Sequence, residues 1–406
     1  MTLFSFFEQK KVTKIKIILF LDAGKGNARG AVVEMRNKVP HILYAVSGER
    51  KIGLPESKES LSLAMSSLEE VLEDIARALQ KPAFKNKEYV AEDVYCILAE
   101  PYYLSHTSVI TETYSGPFTI TPGIIKKLIN SYHELLPETH KEVLLDSDPD
   151  TIHERIIEIR VNGYHTDNPY GMIANELQLA VFRTKINKKI VNLVTKIVRK
   201  ITPAPLSIEP LSLAAFITVR NKVDTNKDFI LVTVGNDVSE ISLIKEHTLL
   251  ETVSFPFGKH SLARLIASKI SATAEEALTR LGLYHDKKLS KQSAESFFPV
   301  MEETQSLWFS YLEKSLVSLS EEVSIPENIY IFVDTDLKDM LGSNITQKDF
   351  ASQTLVPHGF IIKTLDASSL SEQCTFGLNI RFDSILAIAA SFAAASKEVI
   401  NEEVSS

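Results

Sequence analysis

Two short segments carry the residue types that phosphate chemistry needs. Asp22-Ala23-Gly24-Lys25-Gly26-Asn27 and Gly235-Asn236-Asp237 each place glycine between two apolar runs. Glycine lets a tight turn bring backbone N–H groups close to an anion. Two such turns facing each other across a cleft would grip a polyphosphate from both sides. Asp22, ending the first apolar run, is the kind of oxygen ligand that Mg2+ or its bound waters take, and Lys25 would add a cation directed at phosphate. If hydrolysis occurs, Asp22 is the group that would organise the metal's water, and a group near Glu100, after the Val94–Leu98 strand, is assigned by position alone to orient the attacking one. Hairpins with glycine turns are also ordinary structural elements, so spacing alone leaves both readings open.

Other candidates lack context. His106, His133, His140, His153 and His165 have irregular spacing and no H-x-x-x-H pair, which fits scattered surface histidines better than a metal site. Ser108, Ser115 and Ser254 have no nucleophile elbow around them. Asp146-Ser147-Asp148-Pro149-Asp150 opens like a calcium loop, but Pro149 and the missing glycine and distal glutamate break the pattern. Gly24-Lys25-Gly26 is not a P-loop.

The elements that position the two turns follow from periodicity. Lys14–Leu21 reads as a buried strand, Ala28–Met35 as its hairpin partner and Val39–Arg50 as a third strand. Leu61–Leu79 has the spacing of an amphipathic helix and Val94–Leu98 is a short buried strand. Asp228–Ile244 repeats the pattern of strand, glycine turn and strand, and Leu249–Phe255 follows as a third strand. Between the copies lie a helix at Ile124–Leu136, opened by Pro122, strands at Glu154–Asn162 and Ala174–Phe182, a helix at Lys188–Ile201 and a short strand at Leu206–Ile208. Leu211–Val219 is a helix. Later come helices at Ser261–Ile270, Ala274–Leu281 and Ala294–Leu319, strands at Ile329–Val333 and Phe360–Thr364, and a small-residue helix at Ser384–Ala395.

Composition narrows the class. The 406 residues exceed what one hydrophobic core usually organises. Lys and Arg total 44 against 52 Asp and Glu, a formal charge of −8, which disfavours a nucleic-acid binder. The basic stretches at Lys185–Lys189 and Lys196–Lys200 alternate with apolar residues and read as solvated helix faces. Two cysteines, Cys96 and Cys374, exclude a disulfide framework and fit a reducing compartment. Ile15–Leu21 is too short to cross a bilayer and has no signal-peptide flanks, so a cytoplasmic chain is expected. Leu3, Phe4, Phe6 and Phe7 precede Lys10 and Lys11, a segment able to touch a membrane surface.

The ordered set of motifs resembles the actin-like ATPase superfamily, and within it the FtsA and PilM families. Leu21–Met35 looks like the first phosphate loop and Ile230–Ile244 like the second. Thr252–Leu265, with Gly258, and Ala272–Gly282, with Glu275, are similar to two downstream segments of those families. The stretches TPGIIKKLINS, IIEIRVNGY, NPYGM and ELQLAVF match, in order, the inserted subdomain that sets FtsA and PilM apart from actin. The resemblance runs from about Lys14 to Ala395. It implies an α/β, actin-like two-lobed fold, two ribonuclease-H-like halves with an inserted small α/β subdomain. The implied division is residues 1–114 for the first lobe, 115–208 for the insert, 209–227 for a return to the first lobe, 228–395 for the second lobe and 396–406 for a polar tail. ATP with Mg is the implied cofactor, held by Asp22, Gly24, Lys25, Gly26, Asn27, Gly235, Asn236, Gly258 and Glu275, with Asp22 reaching the metal through water.

The departures from the family pattern are as informative. The strand-ending Asp of the second loop is Thr233 here, its glycine run is Gly235-Asn236-Asp237, and its Thr-Thr-Asp is Val238-Ser239-Glu240. The family's adenosine-side lysine is Leu278. The glycine-rich adenosine loop reads Val333-Asp334-Thr335-Asp336-Leu337. A scaffold with weak or lost ATP binding is therefore expected, most like PilM: a cytoplasmic adaptor that binds the tail peptide of an inner-membrane protein and self-associates. It would reach the membrane only indirectly or through Leu3–Phe7. The alternatives are an FtsA-like division anchor and an active Mg·ATP-hydrolysing ATPase.

Overall fold

The computed structural model describes residues 12–22, 27–48, 60–81, 84, 88–132, 151–220, 227–320, 324–342 and 360–395. The first apolar run becomes β1 (Val12–Leu21), whose residues from Ile15 to Leu21 are all buried. An unbroken buried strand needs cover on both faces and neighbours on both edges. β1 pairs antiparallel with β2 (Ala28–Arg36), Leu21 opposite Ala28. β2 pairs antiparallel with β3 (Val39–Gly48). On its other edge β1 runs parallel to β4 (Glu88–Leu98), and β4 parallel to β9 (Leu206–Pro210). Lys16 interrupts the apolar run without breaking the core. Its Nζ donates to Asp93 at 3.2 Å and to the Ala393 carbonyl at 2.9 Å, so the buried charge is paired.

The second half repeats this topology. β10 (Phe229–Val234) pairs antiparallel with β11 (Ser239–Lys245), and β11 with β12 (Thr248–Phe255). On the other side β10 runs parallel to β13 (Asn328–Phe332), and β13 to β14 (Ile361–Leu365). In both halves the spatial order is third, second, first, fourth and fifth strand, with β15 (Thr375–Phe376) added outside β3 in the first. The internal repeat read from the hairpins is thus a repeat of whole sheets, and the chain has the actin-like two-lobed fold.

A third sheet has the order β5 (Tyr103–Thr119), β8 (Ile173–Ile186), β6 (Thr151–Val161) and β7 (Tyr164–His165). One face packs on the Pro122–Ser131 helix, whose N-cap Thr121 accepts from the Ile124 N–H. The sheet also reaches the second lobe. Arg160 pairs with Glu246 at 3.0 Å, and the Thr107 hydroxyl donates to the Leu249 carbonyl.

Sheet membership divides the chain differently from the expected boundaries. The third sheet begins at Tyr103, not Ser115. Leu206–Pro210 is a strand of the first lobe's sheet, and the Lys188–Ile201 helix packs on the Ser60–Leu79 helix of that lobe. Two pieces expected in the second lobe also lie on the first. Thr375–Phe376 pairs with His41 and Ile42 of β3, and the Ser384–Ala395 helix packs on β1, β2 and β3. The latter has ten of its twelve residues buried, which its alanines and serines permit by letting it lie close to the Leu211–Arg220 helix. These two helices, with Phe20, Phe229 and Phe332, form an apolar core shared by both lobes. Leu3–Phe7 and residues 396–406 lie outside the described residues. Among the described residues no helix is long and apolar enough to cross a membrane.

Candidate functional site

β1 and β10 each end at the junction of the lobes, and their pairing to β2 and β11 fixes where the two turns face each other. Of the first turn, Gly24, Lys25 and Gly26 lie outside the described residues, while its flanks Asp22 and Asn27 are buried. Asp22 Oδ2 accepts from the backbone N–H of Asn236 at 2.7 Å. Asn27 Nδ2 lies 3.3 Å from Asp237 Oδ2, to which it donates, and 3.3 Å from His260 Nδ1. Arg29, one turn of pleat into β2, donates to the Asn236 side-chain oxygen and to Asp383 at 2.7 Å. Every described element of the first turn is therefore bonded directly to the second.

The second turn is held from behind as well. Gly235 N–H donates to the Val238 carbonyl at 2.9 Å. The N–H groups of Gly258, Lys259 and His260 donate back to the carbonyls of Asp237, Gly235 and Asn236. Gly258 is needed for this approach: a Cβ there would stand 2.6 Å from the backbone of both Asn236 and Gly235. So Gly258 supports the turn, and its N–H is already used.

Beyond the turns a cleft of about 1070 Å³ opens between the lobes. Its cations are paired. Lys259 Nζ lies 2.9 Å from Asp334 and 3.2 Å from Asp336, and Arg381 lies 3.2 Å from Asp336. Burial works against the charge on Arg29, yet Asp383, Asp334 and Asp22 hold its pKa above the ordinary value. Burial likewise works against Asp334, but Lys259 and Arg29 hold it well below the usual carboxylate range. Asp334 also accepts from the Ser384 N–H at 3.0 Å, so the expected adenosine loop instead ties the second lobe to the Ser384–Ala395 helix. Glu275 stands exposed on the second-lobe wall, with Leu278 beside it. Five acidic side chains line the cleft against three basic ones.

At the base of the junction lies a carboxyl pair. Glu240, the third residue of the Val238-Ser239-Glu240 departure, accepts from the Glu100 N–H at 2.8 Å and the Tyr103 hydroxyl at 2.7 Å. Burial, and then the Glu100 carboxyl, push Glu240 up; burial also pushes Glu100 up against a hydrogen bond from Ser254. Nearby Tyr102 is raised by burial and by the charges of Asp22 and Asp237. Glu100 thus sits against a second carboxyl of the opposite lobe, a group that sequence reading had no reason to pair with it.

Arg29, Lys259, His260 and Asp383 were not singled out from the sequence, and Glu240 was noted only as a departure from the family pattern. Arg29 did carry a signal, since it is a charge set just before the apolar run Ala31–Val33 of its strand. His260 and Asp383 carried none. Among the described residues, no group of three or more His, Cys, Asp and Glu could hold a metal ion.

No family model matches the sequence, and no curated protein does. Solved structures do match the fold. A PilM–PilN type IV pilus biogenesis complex is similar over 94% of this chain and 98% of that one, with 13% identity and a TM-score of 0.55. A Bacteroides thetaiotaomicron protein of unknown function with an actin-like ATPase fold covers 96% and 99%, at 11% identity and a TM-score of 0.36. The cytoplasmic domain of EpsL, an inner-membrane component of the Vibrio cholerae type II secretion system, covers 63% and 74%, at 9% identity and a TM-score of 0.30.

Proposed function

We propose that this protein is a PilM-like adaptor of a membrane-associated assembly, a pilus or secretion platform, in which the nucleotide site has been replaced by a latch between the lobes. The observation that carries this reading is the bond from Asn236 N–H to Asp22, reinforced by Asn27 to Asp237 and Arg29 to Asn236. A phosphate bound between two turns must receive their N–H groups. Here the Asn236 N–H serves a carboxylate, and Asp237 adds a buried negative charge beside it. Two like charges at 4 Å repel by about 1 kcal/mol even in water, and more when desolvated. The acidic excess in the cleft works in the same direction. Mg·ATP therefore does not fit the described residues, and Asp22 acts as a structural acceptor rather than as the organiser of a metal's water.

Similarity over 94% of the chain to a PilM–PilN complex supports the adaptor reading, and the third sheet, which touches the second lobe through Arg160 and Thr107, is the surface we assign to the partner. The partner is the cytoplasmic tail of an inner-membrane protein, which holds this chain at the inner face of the membrane. The test is crosslinking of the full-length protein in cells, followed by identification of the joined peptides. Crosslinks from the Tyr103–Ile186 region to a tail of a pilus or secretion component are expected; crosslinks only to division-ring proteins would refute the reading.

A further inference from the structure

Resting on the adaptor reading, the structure assigns a second peptide site to this chain. We propose that the cleft between the lobes takes an extended, basic, apolar segment of a partner, which adds to the edge of β3 as a further strand.

Five consecutive residues, Leu43 to Ser47, line the cleft. Side chains of a strand alternate between the two faces of its sheet. A strand borders a space with five residues in a row only when its edge, and not one face, looks into that space. Among the described residues that edge carries no strand beyond Ile42. β15 covers β3 only at His41 and Ile42, and the following Gly377 N–H donates to the Ile42 carbonyl before the chain turns away. From Leu43 to Gly48 no strand pairs with that edge among the described residues. The backbone groups of alternate residues there, those turned away from β2, are a template for strand addition, and the cleft protects them from indiscriminate pairing at the surface.

The opposite wall states what the added strand should carry. Leu278 and Leu283 face the cleft from the Ala274–His285 helix, and Leu378, at its mouth, is 96% exposed. An extended segment would present every second side chain to these leucines. Glu275 lies in the same wall one helical turn before Leu278, is exposed and has no ion-pair partner among the described residues. With five acids against three bases around it, the cleft favours a cationic occupant and disfavours a polyanion. The lining of the cleft joins the latch residues Arg29 and Asn236 to the β3 edge and the leucines. The site is separate from the Tyr103–Ile186 sheet where the tail peptide is placed.

The probe is a fluorescent, acetylated octapeptide in which valine alternates with lysine and threonine, mixed with the full-length protein. Two further peptides replace the lysines by glutamate, or the central threonines by proline to remove backbone donors. Saturable binding of the lysine peptide is expected, at least tenfold weaker for each of the others. Glu275→Gln and Leu283→Ser, both exposed and therefore safe for folding, should each weaken it about three- to tenfold. Hydrogen exchange should slow at those amides of Leu43–Ser47 that point away from β2. No binding, equal binding of all three peptides, or binding that leaves those amides unprotected would overturn the proposal. So would protection of those amides by a second copy of the chain without peptide. Crosslinks to a membrane tail at Tyr103–Ile186 together with any of these results would leave the adaptor reading standing and remove only the cleft site. Displacement of the peptide by Mg·ATP would remove the latch and leave the cleft site standing.

Discussion

Asp22 Oδ2 and the backbone N–H of Asn236 meet at 2.7 Å, joining the ends of two homologously placed strands that lie 214 positions apart in the chain. The bond joins the residue that the sequence led one to expect at a metal and the turn expected at phosphate. The two lobes are thereby joined at the junction by the protein's own groups.

Arg29 is the most consequential cation at that junction. It is buried, spans Asp383 and Asn236, and is held charged by three carboxylates. Arg29→Ala leaves buried acids uncompensated and should cost about 3–5 kcal/mol. Arg29→Lys should recover little of this, because a point charge cannot make both bonds of the fork. Urea unfolding of the three proteins measures it; a lysine variant as stable as the parent would contradict this role.

The Glu100–Glu240 pair makes stability depend on pH. Both carboxyls titrate higher folded than unfolded, Glu240 up to about 8. Across that range the folded state keeps protons that the unfolded state has released, so unfolding releases protons and stability falls as pH rises. The full benefit is present below the ordinary carboxylate range and is gone above about pH 8. Each retained proton corresponds to about 1.4 kcal/mol per pH unit. In Glu240→Gln the amide oxygen can still accept from the Glu100 N–H, and the side chain no longer titrates. Melting temperatures from pH 5 to 9 should decline less in the variant; an unchanged slope would remove the pair from the account.

Gly258→Ala tests the support behind the second turn. Its new Cβ would press on the backbone of Asn236 and Gly235 at 2.6 Å, where no flexible side chain can yield. A loss of about 1–3 kcal/mol is expected, as for other forced overpacking. Trp308, the sole tryptophan, donates from its indole to Ser239 at 3.2 Å and should report the disturbance as a change in emission. Unchanged stability and emission would show that the turn does not depend on this approach.

Much of the fold was legible because its signals are local. The runs at Lys14–Leu21 and Phe229–Val234, each followed by a glycine turn, announced the two sheets, and the Lys188–Ile201 helix has the bounds its spacing implied. β5 escaped notice because Ser105, Thr107, Thr111 and Thr113 dilute its alternation and Gly116-Pro117 interrupts it. The Ile124–Leu136 helix ends at Ser131, and its last four expected residues lie outside the described residues. Asp22, Asn27, Gly235, Asn236 and Gly258 come together at the junction. Glu275 lies apart, on the cleft wall. What no local pattern contains is how they are satisfied. Asn27 to His260 and Arg29 to Asp383 are separated by 233 and 354 positions, and only the assembled lobes bring them within reach.

The most direct measurement is thermal unfolding of the full-length protein with increasing Mg·ATP, beside an Asp22→Ala variant. A nucleotide that bound would add about 2.7 kcal/mol of stability at one hundred times its dissociation constant. A closed latch predicts no shift of the parent's melting temperature at millimolar Mg·ATP. It also predicts an Asp22→Ala protein less stable by about 1–3 kcal/mol, because the buried Asn236 N–H loses its acceptor. A saturable upward shift of the parent, lost in the variant, would mean that the turns still grip phosphate and would contradict the account.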